Sequence, residues 1–376
     1  MKIVVIPATY NEKGNIEKLI AILEEEVFPK IKNHDMHILV ADDNSPDGTG
    51  DVVRKLMSKW KNLGINSGEK KGLGAAYVRA MTYAIDKMGA DIVCEIDADL
   101  SHDPREIPNF IKKIGEGYDI VVGTRYSSGG SLPKNWPFIR KVFSVTANLV
   151  VRIVTGRIGI HDWTGGYRAL KKEVFLKEKQ KVSSYQGYTF QVAFLFNAVM
   201  DEYKIGEVPI HFTDRTLGRS KIVPREYIVD LLKYVISARI KEVLGGSFGK
   251  FLVVGGLGFV INAVILKVLV DFSHWNPSYA NLVGAAAAIF SNYNLNNLWT
   301  FSHQKIRGLG MYLWKILQFY ATSAFGVIFI QTGTIFLGDH LIGRQYYFIY
   351  FIIGTGFLLI WNFTIYNRFI WKENGK

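Results

Sequence analysis

Asp91-Ile92-Val93-Cys94-Glu95-Ile96-Asp97-Ala98-Asp99-Leu100-Ser101-His102 is the stretch on which the reading of the fold turns. Residues 91–96 read as a buried strand, and the strand opens into two carboxylates one residue apart. Working outward, residues 3–6 are a short apolar run ending at Pro7, as expected of a buried parallel strand. Residues 37–41 form a second run, ending in the turn cluster Asp42-Asp43-Asn44-Ser45-Pro46-Asp47-Gly48, and residues 119–123 form another. Between them Ile16, Leu19, Ile20, Leu23 and Val27 recur at helical spacing, and helices are expected over about 51–60 and 75–87. Strand-helix alternation of this kind predicts an α/β fold with a mostly parallel sheet and ligands at the carboxyl ends of its strands.

Asp97 and Asp99 are the chemical centre of that rim. Hard oxygen ligands at this spacing suit Mg²⁺ or Mn²⁺, which keep positions open for substrate phosphates. A lone Asp-x-Asp is usually a solvated turn; its place at a strand end strengthens it, as do Thr9-Tyr10-Asn11-Glu12 and Asp42-Asp43 at two other strand ends. These residues also suit capping and turn formation, which ligand binding does not exclude. Cations to offset phosphate are Arg125, Arg140, Arg215 and Lys221, any one of which alone reads as a surface charge. There is no Walker A sequence and no G-x-S-x-G, and the eight His lack zinc-ligand spacing.

The chain of 376 residues divides sharply in composition. Residues 1–224 carry most of the acids, residues 225–246 read as an amphipathic helix at a membrane surface or packed on the first domain, and residues 247–376 are dense in apolar residues. Four apolar stretches, near 249–270, 279–299, 312–337 and 346–369, are each long enough for a bilayer core of ~30 Å at ~1.5 Å per residue. Lys305 and Arg307 in the middle link, and Arg368, Lys372 and Lys376 after the last stretch, place those segments and the N-terminal domain in the cytoplasm, with Arg344 dissenting. The net charge of +12 suits anionic lipid or phosphorylated substrates, and no nucleic-acid motif is present. The single Cys94 fits a reduced compartment, and no secretory signal peptide is visible. Asn292-Tyr293-x-x-x-Asn297 is echoed by Asn362-Phe363-x-x-x-Asn367, which hints at a duplication whose asparagines serve as packing glue or line a polar path.

Tyr10-Asn11-Glu12, Asp42-Asp43 with Ser45-Pro46-Asp47-Gly48-Thr49, and Asp97-Ala98-Asp99-Leu100-Ser101-His102 together resemble family-2 glycosyltransferases of GT-A fold. Gly123-Thr124-Arg125-Tyr126, Asp162-x-Thr164-Gly165, Ile205-Gly206-Glu207-Val208-Pro209-Ile210 and the Asp214-Arg215 to Ser220-Lys221 stretch are more narrowly similar to dolichol-phosphate mannose synthases. The apolar half resembles the GtrA-like four-helix domain. The resemblance implies that Tyr10, Glu12, Ala41 and Asp43 hold the guanosine of GDP-mannose, with Ala8 in the usual proline position. It puts Asp97, Ala98 and Asp99 at the metal and sugar diphosphate, Ser101 beside the metal, and Arg125, Arg215 and Lys221 on phosphates or mannose. Arg140 and Ser144 would grip the phosphate of a dolichyl or polyprenyl acceptor. Gly218-Arg219-Ser220-Lys221 and Gly165-Gly166-Tyr167-Arg168 depart from the usual pattern. The expectation is therefore an inverting mannosyltransferase, integral to the bilayer and multi-pass, with homo-oligomerisation left open. The rivals are a UDP-sugar glucosyltransferase acting on the same lipid class, and a glycolipid transporter or scaffold with a sensor domain.

Overall fold

The computed structural model describes residues 1–183, 185, 187–214, 224–275, 277–343 and 346–371. The chain forms two units, Met1–Arg239 and Ile240–Lys376. The first alternates as the sequence predicts: β1 (Lys2–Thr9), α1 (Lys13–Ile22), β2 (Asp35–Asp42), α2 (Thr49–Leu56), β3 (Leu63–Ser67), α3 (Leu73–Asp86), β4 (Ile92–Asp97), α4 (Ile107–Gly115) and β5 (Ile120–Thr124). It continues with α5 (Phe138–Thr155), β6 (Arg168–Lys171), α6 (Lys172–Val182), α7 (Gly187–Met200), β7 (Ile205–Pro209) and α8 (Pro224–Gly245), the last running into the second unit.

The seven strands order as β3-β2-β1-β4-β6-β5-β7, and β6 alone runs antiparallel to its neighbours. Ile3, Val4, Val5 and Ile6 of β1 are all fully buried, as a strand covered on both faces requires. Ile3 and Val5 join one core with Ile16, Leu19, Val53, Phe110 and Ile114, whereas Val4 and Ile6 join the other with Tyr77, Met81, Phe175, Phe190 and Phe194. The register then levels the strand ends. Ala8 pairs with Ala41 on one side and Asp97 on the other, so the residues expected at the nucleotide and at the metal stand on one rim.

Three strands escape a pattern reading. β3, β6 and β7 are four or five residues long and hold few consecutive apolar residues. On α8, Leu231 and Val235 bury into the second core, with Tyr234 packed edge-on against Tyr185 and Phe196. Val229, Ile236, Ile240 and Leu244 of the same helix stay exposed.

The second unit is helical: α9 (Ser247–Asp271), α10 (Pro277–Leu295), α11 (Leu309–Phe325), α12 (Thr332–Leu341) and α13 (Tyr347–Ile365). Among the described residues, two helical stretches, Ser247–Asp271 and Leu309–Ile330, are long and apolar enough to cross a membrane. The two segments of the suspected duplication end alike, α10 in the π-helical turn Asn296–Thr300 and α13 in Tyr366–Ile370. Asn292 packs over Gly258 and Asn362 over Gly326, where an added Cβ would crowd the amide oxygens. Asn297 exchanges bonds with the backbone of Ile306 and accepts from Trp371 Nε1 at 3.0 Å, which is the behaviour of packing glue.

Candidate active site

The loops after three adjacent parallel strands each hold a residue in left-handed conformation: Asn11 (φ 61°) after β1, Asn44 (φ 50°) after β2 and Leu100 (φ 61°) after β4. For a leucine this backbone costs on the order of 1–2 kcal/mol, and such strain gathers at functional loops. It folds the Asp99 carboxylate back, where Oδ1 accepts from Ser101 N–H at 3.0 Å and Ser101 Oγ at 2.6 Å. Asp99 and Ser101 are buried, whereas the Asp97 side chain is 30% exposed. His102 lies under this turn, its Nδ1 3.7 Å from Asp97 Oδ2, and stacks on Tyr167. Burial lowers the His102 pKa against the pull of Asp97 and Asp99, so the ring is held neutral.

On the neighbouring strands the acids divide by role. Asp42 is a turn-former: it accepts from Thr9 Oγ1 at 3.0 Å, Ser45 N–H at 3.1 Å and Ser45 Oγ at 2.6 Å. Asp43 instead takes Arg79 Nη2 at 3.0 Å, and burial raises its pKa while Arg79 opposes the rise. The Tyr10 ring lies 3.6 Å beneath Lys70 Nζ. Glu12 begins α1, donates its N–H to Thr49 Oγ1 at 3.0 Å and accepts from Asn15 Nδ2 at 2.8 Å. Asn11 N–H to Ser45 Oγ and Lys13 N–H to Asp47 Oδ2 tie this loop to the one after β2. A polar cavity of about 310 Å³ opens beside it, lined by Asp42, Ser45, Gly48, Asp51, Arg54 and Ser67 among others.

Arg125, at the end of β5, is held in a buried clamp. Its Nε and Nη2 donate to Asp162 Oδ2 and Oδ1 at 2.7 Å and 2.9 Å, and Nη2 also reaches Thr164 Oγ1 at 2.9 Å. Burial alone would raise the Asp162 pKa; the Arg125 charge and N–H bonds outweigh it and hold the carboxyl below the usual range. Gly165 belongs to the clamp, because its N–H donates to Asp162 at 3.0 Å and a Cβ there would lie 3.1 Å from the Gly123 carbonyl. The guanidinium therefore arrives oriented, its charge shared with a carboxylate behind it.

The acceptor candidates stand on α5. Arg140 is 45% exposed, stacks 3.9 Å over Trp136 and lies 3.7 Å from Asp214, which also accepts from Asn135 and Trp136. Ser144, one turn on, meets Tyr126 OH at 2.6 Å. Thr213, beside Asp214, donates to the Leu100 and Ser101 carbonyls, so the Asp99–Ser101 turn and the base of α5 share one bracket. Arg215 and Lys221 lie outside the described residues.

The outer face of α5 is what the sequence reading missed. Phe138, Ile139, Val142, Phe143, Val145, Leu149 and Ile153 are exposed, Phe138 at 81% and Ile153 at 65%. From residue 120 to 161 there is no Asp or Glu, while Arg125, Lys134, Arg140, Lys141, Arg152 and Arg157 are spread through it. An exposed apolar helix face in a segment that holds cations and no carboxylate of its own suits contact with anionic lipid.

Residues 3–178 match the family described as Glycosyl transferase family 2, and residues 250–371 match the GtrA/DPMS transmembrane domain. The dolichol-phosphate mannosyltransferase of Pyrococcus furiosus is 31% identical over 344 residues, spanning 90% of this chain and 92% of that one. This chain belongs to the dolichol-phosphate mannosyltransferase family. It is a glycosyltransferase with a membrane domain. The polyprenol monophosphomannose synthase of Mycolicibacterium smegmatis is 36% identical over 248 residues, 65% of this chain and 90% of its own. Among solved structures, a glucosyl-3-phosphoglycerate synthase from Mycobacterium tuberculosis superposes with a TM-score of 0.45 at 19% identity, over 63% of this chain and 79% of that one.

Membership in this family does not disclose the partners of its charged groups. Arg79 behind Asp43, Asp162 behind Arg125 and Asp214 under Arg140 each orient a predicted site residue from 36, 37 and 74 positions away. Asp162 and Asp214 carried a sequence signal, as parts of Asp162-x-Thr164-Gly165 and of the Asp214-Arg215 to Ser220-Lys221 stretch, whereas Arg79 carried none. Among the described residues no three His, Cys, Asp or Glu side chains come together to hold a metal. Asp99 and the Ser101 hydroxyl lie together just beyond the end of β4, where Asp97 also stands, and this all-oxygen donor set fits a magnesium- or manganese-type ion completed by water and phosphate.

Proposed function

We propose that this enzyme transfers mannose from GDP-mannose to a polyprenyl (dolichyl-type) monophosphate and gives the β-linked mannosyl phospholipid. The observation that carries this is α5: Arg140 and Ser144, suited to a phosphate, stand on a helix whose outer face exposes apolar side chains and whose chain segment, residues 120–161, holds no Asp or Glu. An acceptor that is both phosphate and lipid matches that helix, whereas a soluble sugar hydroxyl leaves its apolar face unexplained.

In this reading Tyr10, Glu12, Ala41 and Asp43 receive the nucleoside, with Ala8 between β2 and β4 at the floor. Asp97, Asp99 and Ser101 would hold Mg²⁺ or Mn²⁺, whose charge would offset that building on the departing diphosphate. Arg125 adds a fixed cation there, held in one rotamer by Asp162, with Arg215 and Lys221 assigned to the same phosphates. An oxygen of the lipid phosphate attacks C1 of mannose as the bond from C1 to the donor diphosphate breaks, and the electron pair leaves with GDP. Displacement on the opposite face inverts the α-linked donor. A phosphate monoester has a second pKa near ~6, so its nucleophilic oxygen is already ionised at neutral pH and no general base is called for.

The membrane unit is read as four spans. α10 and α13 have 19 residues each and gain five from their π-helical turns, which passes the ~20 that a bilayer needs. Lys305, Arg307 and Arg368 assign the catalytic unit and both termini to the cytoplasmic side. Full-length enzyme in detergent, given polyprenyl phosphate with GDP-mannose or UDP-glucose, should move mannose to lipid, and EDTA should stop it. Preferred transfer from UDP-glucose would reassign the donor, an α-linked product would overturn inversion, and no transfer from either donor would sink the enzymatic role of this site.

A further inference from the structure

Helix α5 sits lightly on its domain. Of its 18 residues only Asn148, Val151 and Thr155 are buried. Val151 packs into the core, and the Thr155 hydroxyl turns back to the Val151 carbonyl. Asn148 therefore supplies the polar tether, and it is unusually well placed to do so. Its Nδ2 donates to Thr164 Oγ1 at 3.2 Å and to the Ser144 carbonyl at 3.1 Å, and its Oδ1 accepts the Trp163 N–H at 2.8 Å. Thr164 Oγ1 is the same atom that receives Arg125 Nη2 at 2.9 Å. A second thread runs from Tyr126, next to Arg125 in the chain, to the Ser144 hydroxyl. Thus one buried amide joins the loop that clamps Arg125 to the helix turn that carries Ser144, with Arg140 one turn earlier.

We propose that Asn148 is a positioning residue: it sets the register of α5, and with it Arg140 and Ser144, against Arg125. The inference rests on the assignment of Arg140 and Ser144 to the acceptor phosphate. Its physical reason is the demand of an in-line displacement. The attacking oxygen and the leaving diphosphate must lie on opposite faces of one carbon, and a misplacement near 1 Å costs about 100-fold. A helix with an exposed apolar outer face and only three buried side chains against its domain needs a directional bond to hold that alignment. Asn148 touches neither lipid nor donor in this scheme. The Arg125–Asp162 pair and the Arg125–Thr164 bond survive its removal, so the donor side should be spared.

The test is steady-state kinetics of the full-length enzyme in detergent, for wild type, Asn148→Ala and Asn148→Ser. GDP-mannose is the donor and a polyprenyl phosphate the acceptor, and donor hydrolysis is measured without lipid. Serine can return a bond to the Ser144 carbonyl but is too short to span to Trp163 N–H, so it probes the tether where alanine fails to fold. The expected result is a fall of about 10- to 100-fold in kcat/KM for the lipid phosphate, with KM for GDP-mannose and the hydrolysis rate each within about twofold of wild type. Unchanged lipid kinetics in both variants would overturn the role. So would transfer and hydrolysis falling together in proportion to lost folded protein, the mark of a purely structural residue. If wild type itself moves no mannose to lipid phosphate, the functional assignment fails and this inference with it. If Arg140→Ala leaves lipid KM unchanged while Asn148→Ala raises it, α5 is held for some other contact, the acceptor assignment is wrong and the positioning role falls with it.

Discussion

Asp162→Asn is the perturbation that isolates the clamp on Arg125. The carboxylate is fully buried, and its two oxygens have separate duties. Oδ1 takes N–H groups from Thr164 and Gly165 and one bond from Arg125 Nη2, whereas Oδ2 takes the Arg125 backbone N–H and Nε. Asparagine keeps the shape and the Oδ1 bonds but sets an NH₂ donor against two donors and leaves a buried guanidinium without its counter-charge. Removing one partner of a buried pair costs roughly 3–5 kcal/mol, which for a domain of this size is a fall in melting temperature of roughly 6–20 °C. Trp163, adjacent and buried, reports the transition by fluorescence in full-length protein in detergent. The single variant should also lose on the order of 100-fold in kcat/KM, because Arg125 is present but no longer fixed.

A second substitution separates stability from function. Arg125→Met on top of Asp162→Asn removes the stranded charge, so most of the lost stability should return while activity stays lost. pH supplies a third handle. Because the Asp162 pKa is depressed in the folded state, its stabilisation is present above the ordinary carboxylate range and lost as pH falls through the folded value. The acid limb of wild-type stability should therefore flatten in Asp162→Asn. A single variant within about 1 kcal/mol of wild type, or a double variant no more stable than the single, would refute the clamp, since a buried pair cannot lose one charge so cheaply.

Asp99→Ala should reduce transfer by about 1,000-fold or more while the protein stays folded, at a cost of about 1–3 kcal/mol for the bonds lost by Ser101; wild-type metal-dependent transfer would exclude the assignment. Arg140→Ala should raise KM for the lipid phosphate about tenfold and leave KM for GDP-mannose alone, which initial-rate kinetics with each substrate varied will decide. Replacing Val145, Leu149 and Ile153 together by Ser should leave the melting temperature unchanged, because these side chains are already exposed. The same variant should lose about tenfold in kcat/KM on a long-chain acceptor and little on a short, water-soluble one; equal losses on both would mean the face does not meet lipid.

Much of the rim was legible because three independent signals coincide there. Short apolar runs mark β1, β2 and β4, turn residues mark their ends, and the acids stand at those ends, so parallel pairing brings Ala8, Ala41 and Asp97 level without any tertiary knowledge. The antiparallel β6 was not legible: Arg168-Ala169-Leu170-Lys171 has two apolar residues and a buried arginine, whose Nη1 and Nη2 donate to the Gln191 and Trp163 carbonyls. Nor were the pairings of Arg79, Arg125 and Arg140, since each depends on a partner that only the finished sheet delivers. A charge in a sequence is a donor without an address.

Helix α5 shows the deeper reason. Its apolar residues repeat at helical spacing, and that periodicity identifies a face but not what the face meets. In an isolated soluble domain the apolar side would be turned inward, and residues 138–155 would pass for an ordinary core helix. Here the inward side is Asn148, Val151 and Thr155, two of them polar, while Val145, Leu149 and Ile153 look out. What distinguishes the two arrangements in the sequence is the absence of carboxylates over residues 120–161, a property of the whole segment and invisible to any motif within it. The segment 120–161 carries six cations and no carboxylate, whereas Asp42, Asp43, Asp97 and Asp99 stand at the strand ends; under the proposed function that sorts charge by substrate, with cations and exposed hydrocarbon where a phosphate would arrive on a lipid tail.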